Sequence, residues 1–333
     1  MAEKPYKEII ENFHRCKVGV IGDMILDIYV FGKPARLSRE APVIVVEFER
    51  EEARPGGSAN AINNACALGA NCIAFGTVGD DRHGKLLRES LVSEGADTDG
   101  IIVETDRVTT TKTRILAGDV HTVKQQVLRI DKGKPSPPDP YSVQSVIERI
   151  SRRASEIDCW IVSDYGYGFA CQGIESCVAD FASRVPVVAD SRYNVKEFSR
   201  ITAVTPNEGE ALNFGKYYLK DETDLMVIGQ EMIDILFLQC ALITRGNKGM
   251  IIFQRGREPI EIPVVGSEES VDVSGAGDTV TTTFALSLAC GATPVQAARI
   301  ANCAASVVVM KSGTAACSNE ELLSAVDRYL LGE

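Results

Sequence analysis

Towards the end of this 333-residue chain, Val271-Asp272-Val273-Ser274-Gly275-Ala276-Gly277-Asp278 places a turn with few side chains directly before an apolar, small-residue segment with helical spacing. Gly275, Ala276 and Gly277 at a helix start would present bare backbone N–H groups, and the helix dipole adds partial positive charge there. That arrangement suits a migrating phosphoryl group, whose transfer asks a protein mainly for positioning and charge stabilisation. Asp278, in the first turn, is placed to take the proton of an attacking hydroxyl, a contribution of about 10²–10⁴ in rate. Taken alone, the same residues also describe a glycine turn with Asp278 as an ordinary helix-start residue.

Four other segments offer polar groups that such chemistry would need. Gly22-Asp23 ends an apolar strand, where open α/β sheets collect ligands, and Asp27 follows shortly after. Carboxylates there suit paired hydrogen bonds to sugar hydroxyls, or are solvated loop residues. After Arg54-Pro55, Gly56-Gly57-Ser58-Ala59-Asn60 opens a helix; the glycines admit a ligand close to the backbone, and Asn60 offers a donor and an acceptor. The plainer reading is a Gly-Gly turn with Ser58 near the cap. Asn207 and Glu210 share a first helical turn, from which both reach a hydrated Mg²⁺ or simply cap the helix. Thr244-Arg245-Gly246-Asn247-Lys248-Gly249 is a turn between strands, serving a nucleotide or only a hairpin.

Three motifs fail. Gly79-x-x-x-x-Gly84-Lys85 has P-loop spacing, but Leu86 stands where a Ser or Thr must hold Mg²⁺. Val280 occupies the third glycine position of G-x-G-x-x-G, and Asp272 breaks G-x-S-x-G around Ser274.

The bulk composition narrows the field. With 45% hydrophobic and 24% charged residues the chain can bury a large core as one α/β unit or two smaller ones. A net charge of −11 argues against a nucleic-acid partner, which needs an excess of Lys and Arg. The cysteines, scattered from Cys16 to Cys317 without a C-x-x-C pair, read as buried small hydrophobes in a reducing compartment. His14, His83 and His121 lie too far apart in sequence to suggest a zinc site. The N-terminus lacks a signal-like apolar stretch and no run is long enough for a membrane span, so the expected location is the cytoplasm.

Short apolar runs alternate with helical patterns. Strands are expected at Lys17–Asp23, Cys72–Val78, Cys159–Ser163, Pro186–Ala189, Ala203–Val204, Ala241–Thr244 and Met250–Phe253. Helices are expected at Gly56–Leu68, His83–Glu94, Ser142–Arg153, Asp224–Phe237, Ala276–Cys290 and Pro294–Met310. Such alternation points to a mostly parallel, doubly wound sheet. Ile28–Glu52 and Val103–Ile130 break the pattern, being rich in β-branched and charged residues, and suggest a small separate sheet acting as a lid or dimer flap. The proline-rich run Lys132–Pro140 reads as a surface connector.

Taken in order, Gly56-Gly57 with Asn60, Gly79-Asp80-Asp81-x-x-Gly84, Asn207-x-x-Glu210 and Asp272-x-x-Gly275-Ala276-Gly277-Asp278 resemble the motifs of the ribokinase-like (PfkB) carbohydrate kinases, over about Lys17 to Leu323. The resemblance implies one ribokinase-like domain over residues 1–333, doubly wound and flanked by helices, with lid segments at about 28–52 and 103–130. It implies Mg²⁺ and ATP, allows a monovalent cation, and names a sugar or sugar phosphate as acceptor and a homodimer formed through the lid. By residue, it implies Asp278 as base with Gly275, Ala276 and Gly277 as anion hole. Asp23, Asp27, Gly56, Gly57, Asn60, Arg114 and Arg192 would hold the acceptor. Asn207, Thr244, Gly246, Gly249, Gly277 and Asn302 would hold the nucleotide, and Asn207 and Glu210 would hold Mg²⁺ through water.

Within that family the chain is most similar to the D-glycero-β-D-manno-heptose-7-phosphate kinases. The similarity is carried by Gly22-Asp23-x-x-Leu26-Asp27-x-Tyr29, Arg36-x-Ser38-x-Glu40-Ala41-Pro42-Val43, Thr111-x-Thr113-Arg114 and Ser163-Asp164-Tyr165-Gly166. Two positions depart from that group: Tyr167 where it carries lysine, and Asp190-Ser191-Arg192 where it favours Asp-Pro-Lys. Another hexose phosphate, a pentose or a nucleoside as acceptor, or a silent sugar- or nucleotide-sensing protein, are the readings left beside it.

Overall fold

A computed structural model describes residues 4–118, 124–170, 173–266 and 271–331. His121 and Cys171 lie outside the described residues, as does part of the expected lid segment 103–130. The strands are β1 (Lys17–Gly22), β2 (Met24–Leu37), β3 (Ile44–Gly57), β4 (Asn71–Gly79), β5 (Asp97–Glu104), β6 (Thr110–Ala117), β7 (Gln125–Lys132), β8 (Cys159–Asp164), β9 (Val187–Ser191), β10 (Ala203–Val204), β11 (Cys240–Thr244), β12 (Met250–Gln254) and β13 (Ile260–Ile262). The helices are α1 (Tyr6–Glu11), α2 (Ser58–Ala67), α3 (Arg82–Ser93), α4 (Pro140–Arg153), α5 (Ile174–Ala179), α6 (Glu208–Tyr218), α7 (Leu225–Ile235), α8 (Ala276–Ala289), α9 (Pro294–Val308) and α10 (Asn319–Val326).

The main sheet runs β13-β12-β11-β10-β9-β8-β1-β4-β5, parallel from β11 to β5 and antiparallel at β12 and β13. Its strands are apolar on both faces because helices cover both. Val18, Val20, Cys159 and Ile161 face α1, α2, α8, α9 and α10, while Trp160 and Val162 face α4 to α7. Gly19 faces the second layer, where the Trp160 ring sits; a Cβ at Gly19 would lie 2.2 Å from it. From β1 the chain builds outward to β4 and β5, then crosses back to β8 on the other side. The carboxyl ends of β1 and β8 therefore bound the switch point where such sheets bind ligands.

A smaller sheet, β3-β2-β6-β7, stands over that point. It is wider than the sequence suggests: β2 begins at Met24, directly after β1, and β3 runs on to Gly57 at the start of α2. Val103 and Glu104 belong instead to β5 of the main sheet, so the second lid segment starts later than expected, and β7 continues past Ile130 to Lys132. The edge strand β7 is exposed along its whole length. Elsewhere the expected strands and helices form to within a few residues. The short α1, α5 and α10 and the edge strands β5 and β13 lack a strong apolar period and were not expected; α6 was expected only as the first turn that carries Asn207 and Glu210.

Candidate active site

Asp278 sits in the first turn of α8, a helix buried from Asp278 to Ser287. The sequence tolerates that burial because most of its hydroxyls find partners: Thr279 Oγ1 donates to Asn64 Oδ1 (2.8 Å), and Thr281 Oγ1 pairs with Thr205 Oγ1 (2.7 Å), although among the described residues Thr283 Oγ1 has none. Gly275 caps the helix with φ 81°, a left-handed conformation that favours glycine, and a Cβ there would lie 2.5 Å from Asn60 Nδ2. Only Gly allows Asn60 to reach over the turn. Asn60 Nδ2 donates to Asp278 Oδ2 at 2.8 Å, and Asn64 Nδ2 steadies Asn60 by donating to its carbonyl at 2.9 Å.

Of the three N–H groups expected to form an anion hole, one is already engaged within the chain. Among the described residues the N–H groups of Gly275, Gly277 and Asp278 have no acceptor within the chain, but Ala276 N–H turns back to the Val273 carbonyl at 3.3 Å. Ala276 is thus part of the turn, and the Asp278 amide stands free beside those of Gly275 and Gly277 among the described residues. Asp272 holds the turn: Oδ1 accepts from Ser274 N–H and Oδ2 from Gly313 N–H, both at 2.9 Å. Although burial opposes it, these bonds keep the Asp272 carboxyl below its ordinary range.

The Asp278 carboxyl is buried and pushed up to about 7, by burial first. Donors on Asn60 and Tyr165 and the charge of Lys112 pull it down, while Asp27 pushes it up. A carboxyl poised there takes up and gives up protons near neutrality. Tyr165, which follows β8, places its hydroxyl 3.0 Å from both Asp278 oxygens.

Across the switch point, Asp23 Oδ2 accepts the N–H groups of Tyr165 (2.8 Å) and Tyr167 (3.1 Å), while among the described residues its buried Oδ1 has no partner. Burial, and next Asp164, raise its carboxyl to about 6. Asp27 lies on β2 against Gly56, where a Cβ would come within 2.7 Å of its carboxylate. Arg114 Nη1 is 2.7 Å from Asp27 Oδ1; this is a charge contact without an aligned hydrogen bond. Opposite Asp27, in register across β2 and β6, stands Lys112. Its ammonium, buried and 4.9 Å from the centre of the Tyr165 ring, is held below its usual range by burial first. Asp27 acts the other way, and Arg114, Arg192 and Arg129 repel it. Arg192 itself is exposed beside Tyr193.

On the far side of α8 a cleft holds five of the six expected nucleotide residues. Thr244, Gly246, Gly249, Gly277 and Asn302 line it with Val265, Val280 and Val309. Asn302 shapes the wall, since its Nδ2 donates to the Pro263 carbonyl at 2.7 Å. Asn207 lies outside this cleft and forms a capping box with Glu210: Asn207 N–H donates to Glu210 Oε2 (2.9 Å) and Glu210 N–H to Asn207 Oδ1 (3.0 Å). One Glu210 oxygen remains for a hydrated cation. Asp190, at the end of β9, was not anticipated. Burial first, then Glu210, Asp278 and Asp164, raise its carboxyl well above the ordinary range, and its Oδ2 would lie 3.9 Å from a Cβ at Gly277. Such crowding of carboxylates beside an amide cradle fits a divalent cation.

Lys112 and Tyr165 were also missed as site residues. Their signals were present: Lys112 and Arg114 alternate onto one strand face, and Tyr165 follows the strand beside β1. The rejected P-loop stays rejected, as Gly84 N–H serves the Asp81 cap and Lys85 points to Glu89 in solvent. Among the described residues no helix is long and apolar enough to cross a membrane.

Comparison with known proteins bears on the family and the fold. Residues 16–321 match the family described as pfkB family carbohydrate kinase. The chain is 36% identical over 329 residues to the bifunctional protein HldE of Citrifermentans bemidjiense, covering 98% of this chain and 66% of that protein. It is 36% identical over 316 residues to HldE of Desulfatibacillum aliphaticivorans, covering 94% of this chain and 63% of that protein. The chain thus spans just under two thirds of the length of these relatives. In fold it is similar to phosphofructokinase-2 of Escherichia coli in complex with substrates and products (TM-score 0.75, 16% identity, 94% of this chain and 99% of that one). It is likewise similar to ribokinase of Arabidopsis thaliana complexed with ribose and ATP (TM-score 0.69, 20% identity, 93% and 98%). With a ribokinase-like fold, an amide-lined helix start carrying a buried carboxylate, and a family match over nearly its whole length, the chain belongs to the pfkB family of carbohydrate kinases.

Proposed function

We propose that the chain transfers the γ-phosphoryl of Mg-ATP to a hydroxyl of a sugar phosphate, and that this acceptor is D-glycero-β-D-manno-heptose 7-phosphate, giving the 1,7-bisphosphate. The observation that carries the reading is Asp278, buried at the start of α8 with the Thr244–Asn302 cleft on one side and the buried side chains of Asp23, Asp27 and Asn60 on the other. ATP in the cleft would bring its γ-phosphoryl to the Gly275, Gly277 and Asp278 amides. An acceptor held by Asp23, Asp27 and Asn60 would present a hydroxyl to Asp278. Asp278 takes that proton as the oxygen attacks phosphorus, and the bond to the ADP oxygen breaks on the opposite side. The amides meet the charge on the equatorial oxygens. Magnesium, when bound, neutralises phosphate charge; the free Glu210 oxygen, with Asp190 beside it, would hold it, directly or through water. Asn207, whose carbonyl already accepts the Glu210 N–H, keeps its amide N–H groups for a phosphate oxygen.

A phosphorylated acceptor is supported by the cations at the recess. Two lysines of the heptose kinase pattern are missing, but Lys112 supplies a buried ammonium, with Arg114 and Arg192 near enough to repel it. Arg192 offers a two-pronged phosphate ligand in place of one lysine. Pairing of two chains through the lid is supported by apolar side chains on it, Leu37 at 71% and Phe48 at 67% exposure.

A panel of acceptors tests the reading: heptose 7-phosphate, fructose 6-phosphate, ribose and adenosine with Mg-ATP, the product followed by phosphorus NMR. Heptose 7-phosphate is expected to exceed the others in kcat/KM. Preference for ribose or adenosine would overturn the acceptor, and no turnover on any would favour a silent sensor.

A further inference from the structure

Building on Asp278 as the base, we propose that Tyr165 is its positioning residue: the Tyr165 hydroxyl bridges both oxygens of the carboxylate and leaves one lone pair of Oδ1 for the acceptor. An ionised carboxylate has about four acceptor positions. Asn60 Nδ2 takes one on Oδ2 at 2.8 Å, and the bridging hydroxyl, 3.0 Å from each oxygen, blocks one on each. What remains is a single position on Oδ1. The base is thereby fixed in rotation as well as place.

Tyr165 is well suited to this task. It is buried, and burial together with the Asp278, Asp190 and Asp27 charges keeps its proton on the phenol, so it donates throughout the physiological range. Its own N–H donates to Asp23 Oδ2, so one residue ties the base to the carboxylate across the switch point. The lid covers its ring, with Lys112 Nζ 4.9 Å from the centre. Lid, acceptor recess and base meet on this side chain.

The hydroxyl also opposes burial by favouring the ionised carboxylate. The charged groups facing the pair are Asp27 on β2, Lys112 on β6 and Asp190 on β9, and none of them changes in Tyr165→Phe. Removing the hydroxyl should therefore move the Asp278 titration upward by about one pH unit, a typical effect of losing one donor to a charged group. In Tyr165→Phe the acid limb of kcat/KM is expected to shift alkaline by that amount. Turnover should recover at high pH, with KM for Mg-ATP unchanged. A loss equal at every pH would mark a merely structural tyrosine and overturn the proposal.

A second measurement needs no substrate. With ¹³C-labelled aspartate, the Asp278 carboxyl resonance, assigned by its absence in Asp278→Asn, should titrate higher in Tyr165→Phe than in the parent protein. Identical titrations would overturn the proposal even if the acceptor assignment stands. A shifted titration supports it even if no sugar in the panel is phosphorylated.

Discussion

On the nucleotide side of α8 the surfaces that would meet a ligand are largely main chain: Gly246 and Gly249 in the β11–β12 turn, Gly277 in the cradle, and a wall of valines. On the acceptor side the polar groups are side chains drawn from β1's end, β2, β6, β8's end and α2, held by strand register and burial. A main-chain surface keeps its ligand-facing groups whatever the neighbouring side chains, provided that its turns keep their glycines. A recess of side chains changes whenever one is replaced, as at Tyr167 and Arg192. The same architecture can therefore keep one phosphoryl donor while its acceptor varies.

Asp278 lies at the seam of the two halves, and its removal should have the largest effect. Asp278→Asn is expected to cut turnover at least about a hundredfold while Mg-ATP affinity, read by calorimetry, stays nearly constant. Comparable turnover would remove Asp278 from the role of base. Loss of nucleotide binding would mean the halves are not separable.

The acceptor half alone should answer to Lys112. Lys112→Gln deletes the buried ammonium and is expected to raise KM for a phosphorylated acceptor by about 10- to 100-fold, the worth of one or two charge-assisted hydrogen bonds. At a pH well above 7, where Asp278 is ionised in both proteins despite the loss of the Lys112 charge, activity on an unphosphorylated sugar and KM for Mg-ATP should barely move. An equal effect on both acceptors would assign Lys112 to supporting Tyr165 and not to reading phosphate.

The same contrast explains what could be read from the sequence. Gly275, Gly277, Gly246 and Gly249 announce themselves because a tight main-chain turn needs glycine, and α8 follows with an unmistakable apolar run. Lys112 and Tyr165 carry only the weaker signals of strand alternation and of position after a strand. A lysine in a threonine-rich strand looks like a solvated edge residue until β6 pairs with β2 and turns it under the lid. Asp190 stands in the sequence only within a motif that departs from the heptose kinase pattern; its place beside Gly277 arises from the start of α8 packing against the end of β9, not from local spacing. Asn207 and Glu210 were legible as a pair, but only the coordinates show that each closes the other's backbone.

A smaller effect concerns pH. With Asp278 pushed up to about 7, the ionised base is gained as pH rises through that value. The parent enzyme should therefore lose kcat/KM below about pH 7 by tenfold for each unit once the carboxyl is protonated. Asp23, raised to about 6, adds a second and steeper fall at lower pH. A profile flat from pH 5 to 8 would show that neither carboxyl governs the reaction.

The smallest expected effect is on stability, and its sign follows from the same burial. The Asp278 pKa is higher in the folded chain, about 7, than its ordinary value of 3.8. The unfolded chain ionises first as pH rises, so stability falls between those two values and is lowest, for this group, above about pH 7. Asp278→Asn removes the ionisable group while its amide oxygen can still accept from Asn60. The variant should melt higher than the parent by a few degrees, about 1–2 °C for each kcal/mol regained in a chain of this size, and the gap should be wider at pH 8 than at pH 5. A gap that is constant with pH would mean that the carboxyl is not strained by burial. The seam would then be held by Asn60 and Tyr165 more firmly than its desolvation opposes it, and the parent protein would lose no stability by keeping its base there.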